Sequence, residues 1–274
     1  AVSIGMPHSI GHDFFEDIEA RFVKMHRIPC PTGLPRIDAP DILDGGLGRG
    51  EIGVVTANTG VGKSHYLVAM GANALRNGKS VLHYTFELTE TAVGRRYDSN
   101  LTNIDINDLM TSKKRVLDFY EKEELGRLII KEYPTGAASV ITIRNHIEKL
   151  SLKGFKPSLI VIDYADIMKS TKAYDSLRHE LKLVYEELRN LAMEMNIPVW
   201  TANSDIVGLE NMAEAYGKAM VADVVISISR KAMEKATGHG RLYVAKNRAG
   251  RDGILFPMLI NTAQSRIILL DESE

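Results

Sequence analysis

The stretch Ile52-Gly53-Val54-Val55-Thr56-Ala57-Asn58-Thr59-Gly60-Val61-Gly62-Lys63-Ser64-His65 decides the fold. Its apolar run Ile52 to Ala57 reads as a strand, the glycines that follow as a turn, and the residues from Lys63 to near Gly78 as a helix. A Gly-rich turn with Lys-Ser in register, set between strand and helix, is the context of a P-loop, here with Ala57 in place of the usual first Gly. Phosphate binding needs backbone N–H groups converging on an anion. Gly60 and Gly62 permit that, and the helix N-terminus adds its dipole. Asn58, Thr59, Gly60, Val61, Gly62, Lys63, Ser64 and His65 are therefore the candidate nucleotide cradle. Lys63 is expected to reach the β- and γ-phosphates and Ser64 to place its hydroxyl on Mg²⁺, a hard ion that takes oxygen ligands. The competing reading, a turn that merely joins strand to helix, leaves Lys63-Ser64 unexplained.

Two acids extend the site. Leu159-Ile160-Val161-Ile162-Asp163 has the form of a Walker-B strand, so Asp163 is the expected second magnesium residue. Glu87 ends the predicted strand Ser80 to Glu87, at the carboxyl edge where parallel sheets bind ligands, and is placed to polarise an attacking water. A helix-start acid before Thr89 is the alternative for Glu87.

Outward from these segments, strand and helix signals alternate. A helix begins near Glu90, a polar one spans Lys113 to Leu125, and Leu128 to Tyr133 reads as a strand. Ser139 looks like the N-cap of a helix running to Lys153. A longer helix carries Leu177, Leu181, Val184, Leu188, Leu191 and Met195 on one face, and strands Pro198 to Ala202 and Val224 to Ile228 follow. The alternation predicts an α/β fold with a mostly parallel central sheet and helices on both faces. Arg241 to Ala245, Ile254 to Ile260 and Ile267 to Leu270 predict an antiparallel C-terminal edge.

Length and composition agree with one main domain and a short appendage. The 274 residues are 45% hydrophobic and 25% charged, which excludes a disordered chain and a disulfide scaffold. The 34 basic against 35 acidic residues give a net charge of −1, which excludes a binding mode that needs a wholly basic surface. Cys30 is the only cysteine, as suits a reducing cytosol, and no run suits a membrane span or signal peptide. A start at Ala1 rather than Met is expected of a piece of a longer protein.

Residues 1–40 are expected to form a helix and a Pro-rich linker, Pro29 to Pro40, ahead of the main domain at 41–274. In the helix, Ile10, Phe14, Ile18 and Phe22 recur every four residues, with Phe15 and Met25 widening the stripe and Asp13 and Glu16 as a capping box. Such a stripe needs a partner surface. Near the C-terminus, Lys246, Arg248 and Arg251 gather on a predicted hairpin where Asn247 and Gly250 permit a turn, which invites an anionic partner; a solvated turn is the alternative. His8, His12 and Cys30 are too few for a zinc site, and Met193 and Met195 are read as core.

Together these residues resemble the RecA-like motor domain of DnaB-type replicative helicases, and within them the phage helicases of the T-even kind. Gly11-His12-Asp13 with Glu16-Asp17, Gly45-Gly46-Leu47, Glu87, Ile162-Asp163-Tyr164, the run Leu191 to Val199 and Lys246-Asn247-Arg248 carry the resemblance. It implies a RecA-like P-loop NTPase that uses ATP and Mg²⁺, with Glu87 as catalytic base and Lys246 and Arg248 inserted into the neighbouring subunit's ATP site. It further implies a homo-oligomeric, hexameric ring on single-stranded DNA, with primase and a helicase loader as partners, no membrane, and a cytoplasmic location, the bacterial host's if phage-encoded. Lys169, Lys172 and Asn203 are the DNA-contact candidates, on the loops after Asp163 and after strand Pro198 to Ala202. The linker helix is expected to dock on an adjacent subunit. One departure stands out: where the family carries a Gln-containing motif with an Arg, Thr201-Ala202 runs straight to Asn203-Ser204-Asp205. A RecA- or KaiC-like ATPase, and a nucleotide-dependent DNA-binding or loader module that unwinds nothing, are the alternatives.

Overall fold

The computed structural model describes residues 13–16, 18–19, 28–173, 177–203 and 220–271. A two-residue ladder comes first, β1 (Pro29–Cys30) antiparallel to β2 (Leu47–Gly48). The main sheet has nine strands: β3 (Ile52–Thr56), β4 (Val81–Thr85), β5 (Leu128–Glu132), β6 (Leu159–Asp163), β7 (Val199–Asn203), β8 (Val224–Ser229), β9 (His239–Asn247), β10 (Ile254–Asn261) and β11 (Arg266–Leu269). Their order is β11-β10-β9-β8-β3-β7-β6-β4-β5. Strands β8 through β5 in that order run parallel, and β9, β10 and β11 add an antiparallel edge.

The helices are α1 (Lys63–Arg76), α2 (Glu90–Thr102), α3 (Lys113–Lys122), α4 (Val140–Leu152), α5 (Leu177–Met195) and the short α6 (Ala232–Thr237). Local sequence starts them where it can. The Thr89 hydroxyl accepts the N–H of Ala92 at the head of α2, and Ser139 forms a capping box with Thr142 at the head of α4. The central strands are mainly apolar and almost wholly buried because both faces are covered. On β6, Leu159 and Val161 pack with α1, whereas Ile160 and Ile162 pack with α4 and α5.

Several expectations are corrected. The Pro29 to Pro40 stretch is no spacer: Cys30, Leu34 and Ile37 are buried in the core with α1. The Asp38 carboxylate accepts the N–H groups of Thr32 and Gly33, and Asn73 of α1 donates to the Pro31 carbonyl. Burial pushes the Cys30 thiol up to about 11, so it is an inert core group. Met193 is 61% exposed rather than core, whereas Met195 packs against it. Strand β4 ends at Thr85, so Glu87 lies two residues past it, and α6 had no sequence signal strong enough to single out. In the N-terminal segment Asp13 accepts the N–H groups of Phe15 and Glu16, and Phe14 and Ile18 are exposed. Ile10, Phe22, Met25, His8 and His12 lie outside the described residues.

Helices α1 and α2 meet at van der Waals contact. A Cβ on Gly71 would sit 2.0 Å from the Tyr97 hydroxyl oxygen. That hydroxyl shares a 2.9 Å hydrogen bond with Nδ1 of His83, a fully buried residue of β4 whose Nε2 has no partner. Burial, aided by the nearby Arg96 charge, pushes the His83 pKa down from 6.5 to about 3. The neutral ring is thus the folded form. Its contribution to stability is full above about pH 6.5, where the unfolded chain is also neutral, and is lost as pH falls toward 3, because only the unfolded chain gains the proton. Chemical denaturation followed from pH 7 to pH 4 should show stability falling, with a shallower slope in His83→Asn than in the parent.

Candidate nucleotide site

The strand register assembles the site. Thr56 of β3 lies level with Asn203 of β7 and Ser227 of β8, and Thr85 of β4 lies level with Asp163 of β6. The segments after Thr56, Thr85 and Asp163 therefore leave the sheet together at its carboxyl edge. Between β3 and α1 the loop turns on Gly60 (φ 73) and Gly62 (φ 127), a left-handed backbone that side chains resist. No side chain caps α1, and its first backbone bond within the helix runs from Tyr66 N–H to the Gly62 carbonyl. The first turn of α1 is the positive end of the helix, where an anion is favoured.

Lys63 Nζ donates to the Ala57 carbonyl at 2.7 Å, folded across the loop it belongs to. Asp163 is 2% exposed, and its neighbours are Ser64, Arg96, Glu87 and Lys63. Burial raises its pKa, while a Ser64 hydrogen bond and the charges of Arg96 and Lys63 pull it back down. A hydroxyl beside a buried carboxylate is a hard-oxygen donor pair of the kind that suits Mg²⁺. Glu87 is exposed at the rim of this cluster. The His65 ring points away from the loop: it shares a 2.9 Å hydrogen bond with Ser265, and burial, followed by the charges of Arg96 and Arg230, pushes its pKa down to about 4. Only its backbone N–H is offered to a phosphate.

Arg96, on α2, is the residue that the sequence reading missed. Its guanidinium feels the charges of both Asp163 and Glu87, burial lowers its pKa, and its Nη1 is buried with no hydrogen-bond partner. A half-buried cation with one Nη left without a hydrogen bond among the described residues is placed to receive an anion. No motif spacing points to it; the packing of α2 on α1 does.

Lys246 and Arg248 lie elsewhere. Asn247 is level with Val224 and Lys246 with Val225, at the start of β8, while Val224 is level with Gly53 of β3. They stand at the amino edge of the sheet, opposite the P-loop, with roughly 16 Å of extended chain between Ile52 and Ala57. The strand that carries them is not at the sheet's edge, because β10 and β11 lie outside β9. The hairpin tip is docked: Arg251 pairs with Asp41 at 3.0 Å, and Asn247 donates to the Ile42 carbonyl.

Lys169 and Lys172 are exposed on the segment after β6. That segment is anchored, since Thr171 bonds Glu187 of α5 and the Lys169 N–H bonds the Ala138 carbonyl. Asn203 is 3% exposed and sits beside the P-loop, its carbonyl accepting the Ala57 N–H, so burial closes its side chain to nucleic acid. Residues 204–219, where the departure from the family pattern falls, lie outside the described residues.

A family model described as the DnaB-like helicase C terminal domain matches residues 30–206. The chain belongs to this family. A DnaB-like replicative helicase of Enterobacteria phage T4 is 32% identical over 251 residues, covering 83% of this chain and 52% of that protein. The replicative DNA helicase DnaB of Helicobacter pylori is 24% identical over 176 residues, covering 62% and 35%. The chain thus spans about half the length, or less, of these relatives. Among solved structures, one of a DnaB-like replicative helicase and its interactions with primase superposes with a TM-score of 0.74 at 16% identity, covering 93% of this chain and 66% of that one. The ATPase domain of G40P gives 0.73 at 16% identity, covering 94% and 96%. The RecA-like expectation for the fold holds.

For this DnaB-like domain, Arg96→Ala should lower kcat for ATP hydrolysis by about tenfold or more, the scale of one lost charge-assisted contact to a transferring phosphate. Steady-state ATPase kinetics check this, with circular dichroism to confirm that α2 is still formed.

Proposed function

We propose that this chain is the ATP-hydrolysing motor of a ring-forming replicative DNA helicase that moves on single-stranded DNA and separates the duplex. The observation that carries the reading is the division of the machinery between two edges of one sheet. The P-loop, Asp163, Glu87 and Arg96 gather at the carboxyl edge, and Lys246 and Arg248 stand at the amino edge. Head-to-tail packing of subunits would bring one edge to the other, and such an interface closes into a ring. Relatives named as replicative helicases support the motor over a recombinase or a loader module.

In this reading Lys63 leaves the Ala57 carbonyl for the β- and γ-phosphates, and N–H groups in the first turn of α1 bind phosphate oxygens. Ser64 and Asp163 would hold Mg²⁺, which would supply divalent charge to offset that of the phosphates. Glu87, at the rim, takes a proton from the attacking water. Arg96 in cis and Arg248 from the next subunit offset the charge that gathers on the γ-oxygens; a finger of this kind is worth roughly 10³–10⁵ in rate. Lys169 and Lys172 leave the same edge as Asp163, so the loop that would touch the DNA backbone is continuous with the strand that holds the metal. Primase is a candidate partner because a solved structure of the same fold records one. The work would be done in the cytoplasm of a bacterial host.

Lys63→Ala is expected to lose both ATP binding and hydrolysis, whereas Glu87→Gln keeps binding and loses about 10²–10⁴ in kcat. Fluorescent-nucleotide binding, ATPase rates and unwinding of a forked DNA substrate read the three properties. Equal loss of binding in both variants, or a parent protein that hydrolyses ATP without unwinding the fork, overturns the reading.

Subunit mixing tests the finger. Arg248→Ala subunits have an intact P-loop, and Lys63→Ala subunits have an intact Arg248. Mixed rings should regain ATPase activity at interfaces that combine the two sound halves. A mixture as inactive as its components places Arg248 outside the neighbour's site.

A further inference from the structure

Asp223 lies immediately before β8 and is 7% exposed. Its Oδ2 accepts the N–H of Ile52, the first residue of β3, at 3.0 Å. Its Oδ1 accepts Nη2 of Arg189, from α5, at 2.9 Å and lies 3.7 Å from Nε of Arg248. Its main-chain carbonyl accepts the N–H of Arg248 at 3.0 Å. One residue thus connects the end of β9 to β3 and to α5.

The surroundings are cationic. Lys246 Nζ donates to the carbonyls of Met220 (3.0 Å) and Ala222 (2.7 Å), and Arg248 Nη2 donates to that of Met220 (2.8 Å). Burial, and after it the charge of Arg248, lowers the Lys246 pKa, with Arg189 acting in the same sense and Asp223 against it. Three cations share one carboxylate. Without it their mutual repulsion would spread the side chains into solvent, and a flexible guanidinium pays the entropy of ordering each time it is used. With it, Arg248 is held by Nε and by its own backbone N–H, which leaves Nη1 without a partner among the described residues.

We propose that Asp223, braced by Arg189, is the positioning residue of the Arg248 finger and sets the guanidinium at the amino edge for the phosphates of the next subunit. The inference rests on the trans-finger reading above. Asp223 touches no nucleotide itself; it acts through Arg248. The neutral amide in Asp223→Asn keeps an oxygen to accept the Ile52 N–H but withdraws the charge that holds Arg248 and Arg189.

The test compares ATPase kinetics and nucleotide binding of the full-length protein with those of Asp223→Asn, Arg248→Ala and the double variant. Asp223→Asn should lower kcat by about ten- to hundredfold, the cost of a misplaced group, with KM and nucleotide affinity within about twofold of the parent. In the double variant kcat should equal that of Arg248→Ala alone, because a finger that is absent cannot be misplaced. A structural role for Asp223 would instead add its loss to that of Arg248→Ala. An Asp223→Asn kcat within twofold of the parent, or additive losses, overturns the inference. Should Asp223→Asn fail to fold, Arg189→Gln, which leaves the carboxylate unbraced, decides by the same comparison, with a several-fold fall in kcat alone expected. An Arg248→Ala protein of parental kcat removes the finger reading itself, whereas an inactive Arg248→Ala beside a fully active Asp223→Asn removes only the role of Asp223.

Discussion

Parallel pairing of β3 between β7 and β8 is the constraint on which the rest depends. Parallel neighbours cannot be joined by a tight turn, so each connection must travel back over the sheet, and here those connections include the helices that cover its two faces. All the outgoing segments then leave from one edge. The mainly apolar sequences of β3, β6 and β7 are the price of being covered twice, and they leave the chemistry to the residues at the strand ends and just past them.

The electrostatics follow from where those ends lie. Asp163 is a strand residue in the core, and its charge is costly until Ser64, Arg96 and Lys63 face it. Asp223 is the counterpart at the opposite edge, a shielded acid facing Arg189, Lys246 and Arg248. In one place a carboxylate is surrounded so that it can hold a cation; in the other it holds protein cations still. The same residue type serves two edges because burial makes each interaction stronger than it would be in water.

Much of this was legible in the chain. The P-loop is local: glycines, lysine and serine in eight consecutive positions carry their own geometry, and the strand and helix around them follow from apolar runs and caps such as Thr89 and Ser139. Asp163 could be found because a fully apolar strand announces what ends it. Arg96 could not, since its relevance comes from the seating of α2 against α1 rather than from any spacing. Nor could the Pro29 to Pro40 segment, whose prolines look like those of a spacer although Leu34 and Ile37 are core residues. Asn203 shows the limit of such reading, since a motif locates a backbone while packing decides where the side chain goes. Lys246 and Arg248 stood out as charges, yet their place opposite the P-loop depends on the antiparallel register of β9.

The contact between Gly71 and Tyr97 has a mechanical meaning. There is no room at that joint for even a methyl group, so α1 and α2 fit without play, as a shaft fits a bearing. Tyr97 adjoins Arg96 in sequence, and α1 begins at Lys63. A shift of α1 would therefore be passed to α2, and to the arginine on it, without slack. The smallest side chain in the helix is thus what allows the alignment of one of the largest in the site.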